Sequence, residues 1–178
     1  MTTEAPPAAT TEAPPGVTTT EAPSVTTTTT NPSPTPTPDG LTEEQRSLLS
    51  THNALRARHG VPPVAWSKAA EDFGAKWIEP LCTLEHSAGP YGENLAMGQT
   101  NWTSAIQDWY SEIKDYDFNN PGYTPDTGHF TQVVWRSTTS IGCAKKDCSG
   151  TPLYVCEYDP PGNIDSPEFF RTNVPPLV

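Results

Sequence analysis

The sequence predicts an α+β domain over residues 41–178, behind a disordered Thr/Pro-rich tail at residues 1–40, and three observations carry that reading. The first forty residues contain no Phe, Trp, Tyr, Lys or Arg, so they hold nothing from which to build a core. Beyond Leu41 the apolar residues recur at spacings of three and four, the period of helices. After about residue 137 they give way to two runs rich in β-branched and aromatic residues. Helices followed by strands, rather than strict alternation, predict helices packed on a small, largely antiparallel sheet.

The tail repeats "TTEAPP" at Thr2 and Thr10 and "TTEAPS" at Thr19 before "TTTTTNPSPTPTP". Proline blocks helix and ladder hydrogen bonds and threonine hydroxyls invite O-glycosylation. A glycosylated stalk and an unmodified linker stand as equal readings.

The first helix is expected in "LTEEQRSLLSTHNALRARHG", with Thr42 and Gln45 at capping-box spacing, Leu41, Leu48, Leu49 and Leu55 on one face, and Gly60 as the stop. A second runs from about Ser67 to Ile78, with Ala69, Ala70, Phe73 and Trp77 as its packing stripe and Pro80 beyond its end. "TSAIQDWYSEIKDY" predicts a third, on the recurrence of Ile106, Trp109, Tyr110 and Ile113. Just before it, Asn101-Trp102-Thr103 is an N-glycosylation sequon, which places Asn101 at the surface of a secreted protein.

"STTSIGCAKK" and "TPLYVCEYD" read as the arms of a hairpin turning at Ser149-Gly150. That turn makes opposed residue numbers sum to 299, which sets Cys143 opposite Cys156 and leaves Cys82 to pair with Cys148. The second bridge would close about 66 residues, worth roughly 4 kcal/mol in the chain-entropy model. A metal-binding cysteine cluster is the weaker alternative, since no C-x-x-C pair is present.

Charge excludes some partners. With 21 acidic and 10 basic residues the chain is at −11, of which the tail carries −4. A domain at −7 lacks the basic face on which nucleic-acid binding begins, and equally the one that attaches proteins to anionic lipid. No apolar run approaches the length of a membrane span, so stable membrane insertion is not expected. Met1 is followed by Thr-Thr-Glu rather than an apolar segment, so a secretory signal is expected to lie outside this chain. The even cysteine count and the Thr/Pro tail predict an extracellular, secreted protein.

The four histidines are divided by position. His52 and His59, on or just beyond the first helix, are read as surface or helix-end residues. His86, Glu93, Glu112 and His129 offer two imidazoles and two carboxylates, a set suited to a divalent metal or to acid/base work, but gaps of 7, 19 and 17 match no helical ligand motif. The spacing alone leaves surface-exposed or hydrogen-bonded side chains as the alternative.

"GHFTQVVWRSTTSIGCA", "YVCEYDPPGN", "HSAGPYGENLA" and "WYSEI" resemble the signature segments of the CAP superfamily of cysteine-rich secretory, antigen 5 and pathogenesis-related class 1 proteins. Within it the chain is most similar to the fungal pathogen-related-in-yeast and pathogenesis-related class 1 groups. The resemblance spans residues 41–178 and implies an α-β-α sandwich whose cleft is lined by His86, Glu93, Glu112 and His129, with Zn2+ or Mg2+ as its possible cation. "YDFNNPGY", with Tyr116, Phe118, Asn119, Asn120, Pro121, Gly122 and Tyr123, resembles the caveolin-type loop of sterol-binding family members. Tyr116 and Phe118 finishing the third helix within the core is the competing reading.

The leading function is therefore binding of sterols or related small hydrophobic molecules for export, scavenging or host interaction. A metal-dependent cleft hydrolase is one alternative; no catalytic residue is assigned, because with every cysteine placed in a disulfide no free thiol remains and no serine nucleophile is evident. Release of a C-terminal signalling peptide before Pro160 is another, although Glu157 stands where the plant pattern has Asn.

Overall fold

The computed structural model describes residues 40–164 and 166–178. The tail expectations fall on residues 1–39, outside the described part of the chain.

Helix α1, Glu43–Ala57, starts at the capping box expected of it: Gln45 N donates to Thr42 Oγ1 at 3.2 Å and Thr42 N to Gln45 Oε1 at 2.9 Å. Three residues past its end, Gly60 turns the chain at φ +61°. Its inner face is Leu48, His52, Leu55 and Arg56. Both histidines expected at the surface are in fact buried, His52 at 0% exposure and His59 at 1%. Each satisfies its ring with a partner far along the chain: His52 Nδ1 lies 3.2 Å from Leu48 O and Nε2 3.0 Å from Tyr158 Oη. His59 faces Pro175 O and Tyr110 Oη in the same manner.

Strand β1, Ala65–Trp66, leads into α2, Lys68–Ile78, capped by Ser67. The buried stripe of α2 is Ala70, Gly74 and Ile78; of the expected stripe Ala70 is buried, Phe73 and Trp77 are half-buried and Ala69 is exposed. Close approach explains the difference. A Cβ on Gly142 would lie 2.1 Å from Glu71 N, so the sheet meets the helix backbone directly there, and one on Gly74 would lie 3.0 Å from Val155 Cγ1, so the helix makes room there for a sheet side chain. Trp77 packs against the cluster of Ile78, Leu95, Leu153 and Val155 from the side, and Phe73 packs on Tyr91.

Helix α3, Trp102–Ser111, is capped by Asn101 and tightens after Ser111 into a 3-10 turn, Glu112–Asp115, so only its first ten residues are α-helical. Within the short α4, Gly128–Val133, or just beyond it, Phe130, Val133, Val134 and Trp135 are buried.

Strands β2 (Gly92–Met97), β3 (Ser140–Cys148) and β4 (Thr151–Asp159) complete a sheet of order β1-β3-β4-β2. The β3–β4 hairpin has the expected register, Ser140 opposite Asp159 and Cys143 opposite Cys156, turning through positive φ at Ser149 and Gly150. Both disulfides pair as expected, Cys82 with Cys148 and Cys143 with Cys156. β2 is antiparallel to β4, whereas β1 pairs with β3 in parallel over two residues, so the sheet is mixed.

Alternation along β4 builds the layers. Tyr154, Cys156 and Tyr158 join the larger core with α1, α3 and α4, while Leu153 and Val155 join Ile78 of α2 and Leu95 in a second cluster on the opposite face. Arg56 clamps the larger side. Its buried guanidinium donates to Pro62 O, Val133 O, Trp135 O and Thr138 O at 2.8–3.0 Å. Burial lowers its pKa to about 10, so it remains a cation at neutral pH. The final helix α5, Pro167–Asn173, is integral to this core: Phe170 is buried edge-on against Trp135, and Asn173 Oδ1 accepts from Ser137 N and Oγ.

Candidate functional site

The four predicted side chains come from elements on both faces of the β2 edge. Glu93 lies on β2, His86 on the loop before it, Glu112 opens the 3-10 turn, and His129 sits in the first turn of α4. They form two pairs. His86 Nδ1 donates to Glu93 Oε1 at 2.5 Å, and Ser87 N donates to the same carboxylate at 3.1 Å. His129 Nδ1 donates to Glu112 Oε1 at 2.6 Å, while the backbone N–H groups of His129 and Phe130 donate to Oε2 at 2.9 and 3.0 Å. Glu112 therefore serves the otherwise unpaired amides at the start of α4 as well as the imidazole.

His86, Glu93 and His129 line one opening of about 200 Å3, together with Asn94, Tyr123, Gly128 and Asn163; Glu112 stands behind His129 rather than on the wall. Among the described residues no three His, Cys, Asp or Glu side chains converge as a ready-made metal cage. The donor chemistry nonetheless fits a cation. In both pairs Nδ1 is engaged by a carboxylate, which sets Nε2 as the lone-pair nitrogen and orients the ring, the usual arrangement of a metal-binding histidine and its supporting carboxylate.

Three further residues set the cleft, and spacing gave no sign of them. Asn94 Nδ2 donates to His129 O at 3.1 Å and to Tyr158 Oη at 3.3 Å, and Tyr158 is the partner of His52. A continuous chain of hydrogen bonds thus runs from α1 to the peptide of His129. Asn163 Nδ2 donates to Gly128 O at 2.8 Å. The sequence signal was that Asn94, Tyr158 and Asn163 lie inside the signature segments.

Glu157 is the unexpected buried carboxyl. Cross-strand from Glu93, it points under α2, where Gly74 leaves room for it, and it is 0% exposed. No donor group reaches either of its oxygens, and the carboxyl lies against the Glu93 carboxylate, with which it shares a hydrogen bond when protonated. Burial first, and the neighbouring Glu93 charge second, hold its carboxyl far above the usual carboxylate range, so it is a neutral acid at pH 7.

The aromatic segment divides. Tyr116 is 8% exposed and belongs to the core, where burial pushes its phenol up to about 12. Phe118 is half-buried between Tyr116, Phe130 and His59. Of the three rings in the segment Tyr123 is the most exposed, at 52%. Tyr116 and Phe118 follow the 3-10 turn, beyond the end of α3, and pack on Phe130. Asn120, Pro121, Gly122 and Tyr123 still line a cavity of about 370 Å3 beside Pro167, and Asn119 is exposed at the loop tip. Tyr123 also lines the His/Glu cleft, its ring lying over Gly128, where a Cβ would meet Cε2 at 3.1 Å.

Residues 49–158 match the model of the CAP family, described as the cysteine-rich secretory protein family. The chain belongs to this family. It is 43% identical over 155 residues to "Repressed by EFG1 protein 1" of Candida albicans, covering 79% of this chain and 57% of that protein. It is 45% identical over 130 residues to "Secreted protein RBT4" of the same yeast, covering 69% and 36%. To the human "Golgi-associated plant pathogenesis-related protein 1" it is 39% identical over 139 residues, covering 72% and 90%. The chain thus spans only about half or less of the Candida relatives. Among solved structures, Schistosoma mansoni venom allergen-like protein 4 matches with a TM-score of 0.60 at 28% identity, over 71% of this chain and 94% of that one. No described helix of this CAP domain is long and apolar enough to cross a membrane.

Proposed function

We propose that the protein is a secreted carrier of sterols or similar small hydrophobic molecules, taken up at the Tyr116–Tyr123 loop. The cavity of about 370 Å3 beneath Pro121, Gly122 and Tyr123 carries this reading, since it lies within the size range of small-ligand sites. The likeness of the segment to the loop of sterol-binding family members supports it. Outward movement of the loop about Asn120-Pro121-Gly122 would uncover Phe118, and each apolar side chain then buried against a ligand contributes about 1.5–3 kcal/mol. Binding of labelled cholesterol to the purified protein tests it. Phe118→Ala combined with Tyr123→Ala is expected to weaken binding by at least about tenfold, and uptake equal to wild type by a double variant with unchanged circular dichroism overturns the loop assignment.

A divalent cation is the second ligand we propose, because both cleft histidines have Nδ1 tied to a carboxylate. His86 and His129 would hold it through Nε2, with Glu93 and Glu112 orienting the rings, and two imidazoles favour Zn2+ over Mg2+. A bound Zn2+ supplies Lewis-acid chemistry. The three hydrogen bonds on Glu112 make it a positioning carboxylate and a poor general base. Calorimetric titration with Zn2+ checks this reading; an unchanged isotherm after His86→Ala and His129→Ala rules it out.

A further inference from the structure

A second opening, of about 340 Å3, lies apart from the cleft and the aromatic loop, where α1, β1, the start of α2, the start of α3 and β3 meet. Its aromatic walls are Trp66 and Trp102, both half-buried, with Trp102 held edge-on by Tyr154 at a centroid distance of 4.7 Å. Each indole N–H is fixed by a carboxylate of the same opening. Trp66 Nε1 donates to Glu71 Oε2 at 2.9 Å, and Trp102 Nε1 donates to Glu44 Oε1 at 3.1 Å. Two further donors complete the frame: Gln45 Nε2 reaches Glu71 Oε2 at 3.1 Å, and the Lys145 ammonium pairs with Glu44 Oε1.

The chemistry of this frame selects its ligand. An alkyl chain would desolvate two carboxylates and an ammonium without offering any of them a hydrogen bond, which is costly. A simple cation would compete with Lys145, which already neutralises Glu44. A ring with apolar C–H faces and a rim of hydroxyls satisfies both parts of the frame. Its faces stack on the indoles, and its hydroxyls donate to Glu71 Oε1 and Glu44 Oε2, since the bonds just described all fall on the other oxygen of each carboxylate. We propose that this opening is a saccharide-binding site centred on Trp66 and Trp102.

The same chemistry has two sources. One is a free or wall-bound glycan. The other is the protein's own: Asn101 of the sequon is exposed and directly precedes Trp102, and it caps α3 through Oδ1, which accepts from Ser104 N at 2.9 Å. N-glycosylation consumes Nδ2 and leaves Oδ1 in place, so cap and glycan are compatible.

Indole N–H resonances test the proposal, read with chitotriose, laminaritriose and mannotriose as probes. In the Asn101→Gln protein, which lacks the Asn101 glycan, at least one trisaccharide is expected to shift the Trp66 and Trp102 signals saturably, with Glu71→Ala and Lys145→Ala each weakening binding on the order of tenfold. In the glycosylated protein, indole signals that move on enzymatic deglycosylation identify the Asn101 glycan as the occupant. The proposal is overturned if none of the three probes produces a saturable shift and deglycosylation moves neither signal. It is equally overturned if binding persists undiminished in Glu71→Ala and Lys145→Ala proteins whose remaining resonances are unchanged. Trp102→Ala is avoided because that ring packs on Tyr154.

Discussion

Replacing Glu157 by glutamine should stabilise the domain above neutral pH, and the expected size follows from its burial. The carboxyl is fully enclosed between β4 and α2, faces Glu93 across the ladder and is held protonated through neutrality, whereas in the unfolded chain it ionises near 4.5. An acid whose folded pKa is raised contributes stability that is complete below its unfolded value and is lost as pH rises toward the folded one. Each pH unit above 4.5 then removes about 1.4 kcal/mol, or about 4 kcal/mol by pH 7.5. The glutamine side chain of Glu157→Gln keeps the shape, is neutral at every pH and donates an amide N–H toward Glu93, so it carries none of this penalty. Urea unfolding of both proteins at several values from pH 5 to 8 should give curves that meet near pH 5 and separate steadily above it, the variant being the more stable. Parallel curves across that range would refute the reasoning, because they would mean that Glu157 is charged in the folded state or reaches water.

Other consequences are testable in the same way. Burial lowers the His52 pKa to about 4, so its neutral form favours folding only above the unfolded value near 6.5, and wild type should lose up to about 3 kcal/mol relative to His52→Gln as pH falls from 6.5 to 4, read by urea midpoints. Phe170→Ala, which empties a fully buried site against Trp135, should cost about 3–5 kcal/mol by the same assay. Cleavage before Pro160 should therefore yield a particle that exposes Trp135 and unfolds at lower urea, a red-shifted fluorescence maximum being the readout. Asn94→Ala removes the donor joining His129 O to Tyr158 and should weaken Zn2+ binding by at least about tenfold, measured by competition with a chelating dye.

What the sequence disclosed, and what it withheld, divides along the range of the interactions involved. The Thr42 capping box, the Gly60 stop and the hairpin register are decided within a few residues, and once the turn is placed the register fixes both cysteine pairs. The cleft quartet is legible only as a family pattern, because Glu93 and Glu112 reach their histidines across 7 and 17 residues through a strand edge and a 3-10 turn. His52 and His59 are misplaced by sequence reasoning for the opposite reason: helix position suggests exposure, while the Tyr158 and Tyr110 hydroxyls that make burial tolerable lie 106 and 51 residues away. Gly74, absent from the stripe read for α2, is a contact point with the sheet, because only the folded structure brings Val155 and Glu157 against it. For Tyr116 and Phe118 the sequence left a ligand loop and core packing both open, because the 3-10 turn that lays them against Phe130 has no local signal.

The four carbonyl bonds of Arg56 bear on how the cleft comes into being during synthesis. Three of the acceptors, on Val133, Trp135 and Thr138, lie 77 to 82 residues after the guanidinium that serves them. A ribosome that has extended the chain only to the end of α3 therefore presents α1 with its cation still in water. The peptide bearing His129 acquires its lasting geometry only after the chain has emerged past Thr138 and doubled back onto α1. A fragment starting after Arg56 would contain all four cleft side chains and still lack the donor that sets the end of α4, so this cleft cannot be excised as a working peptide from a helix so distant from it in the chain.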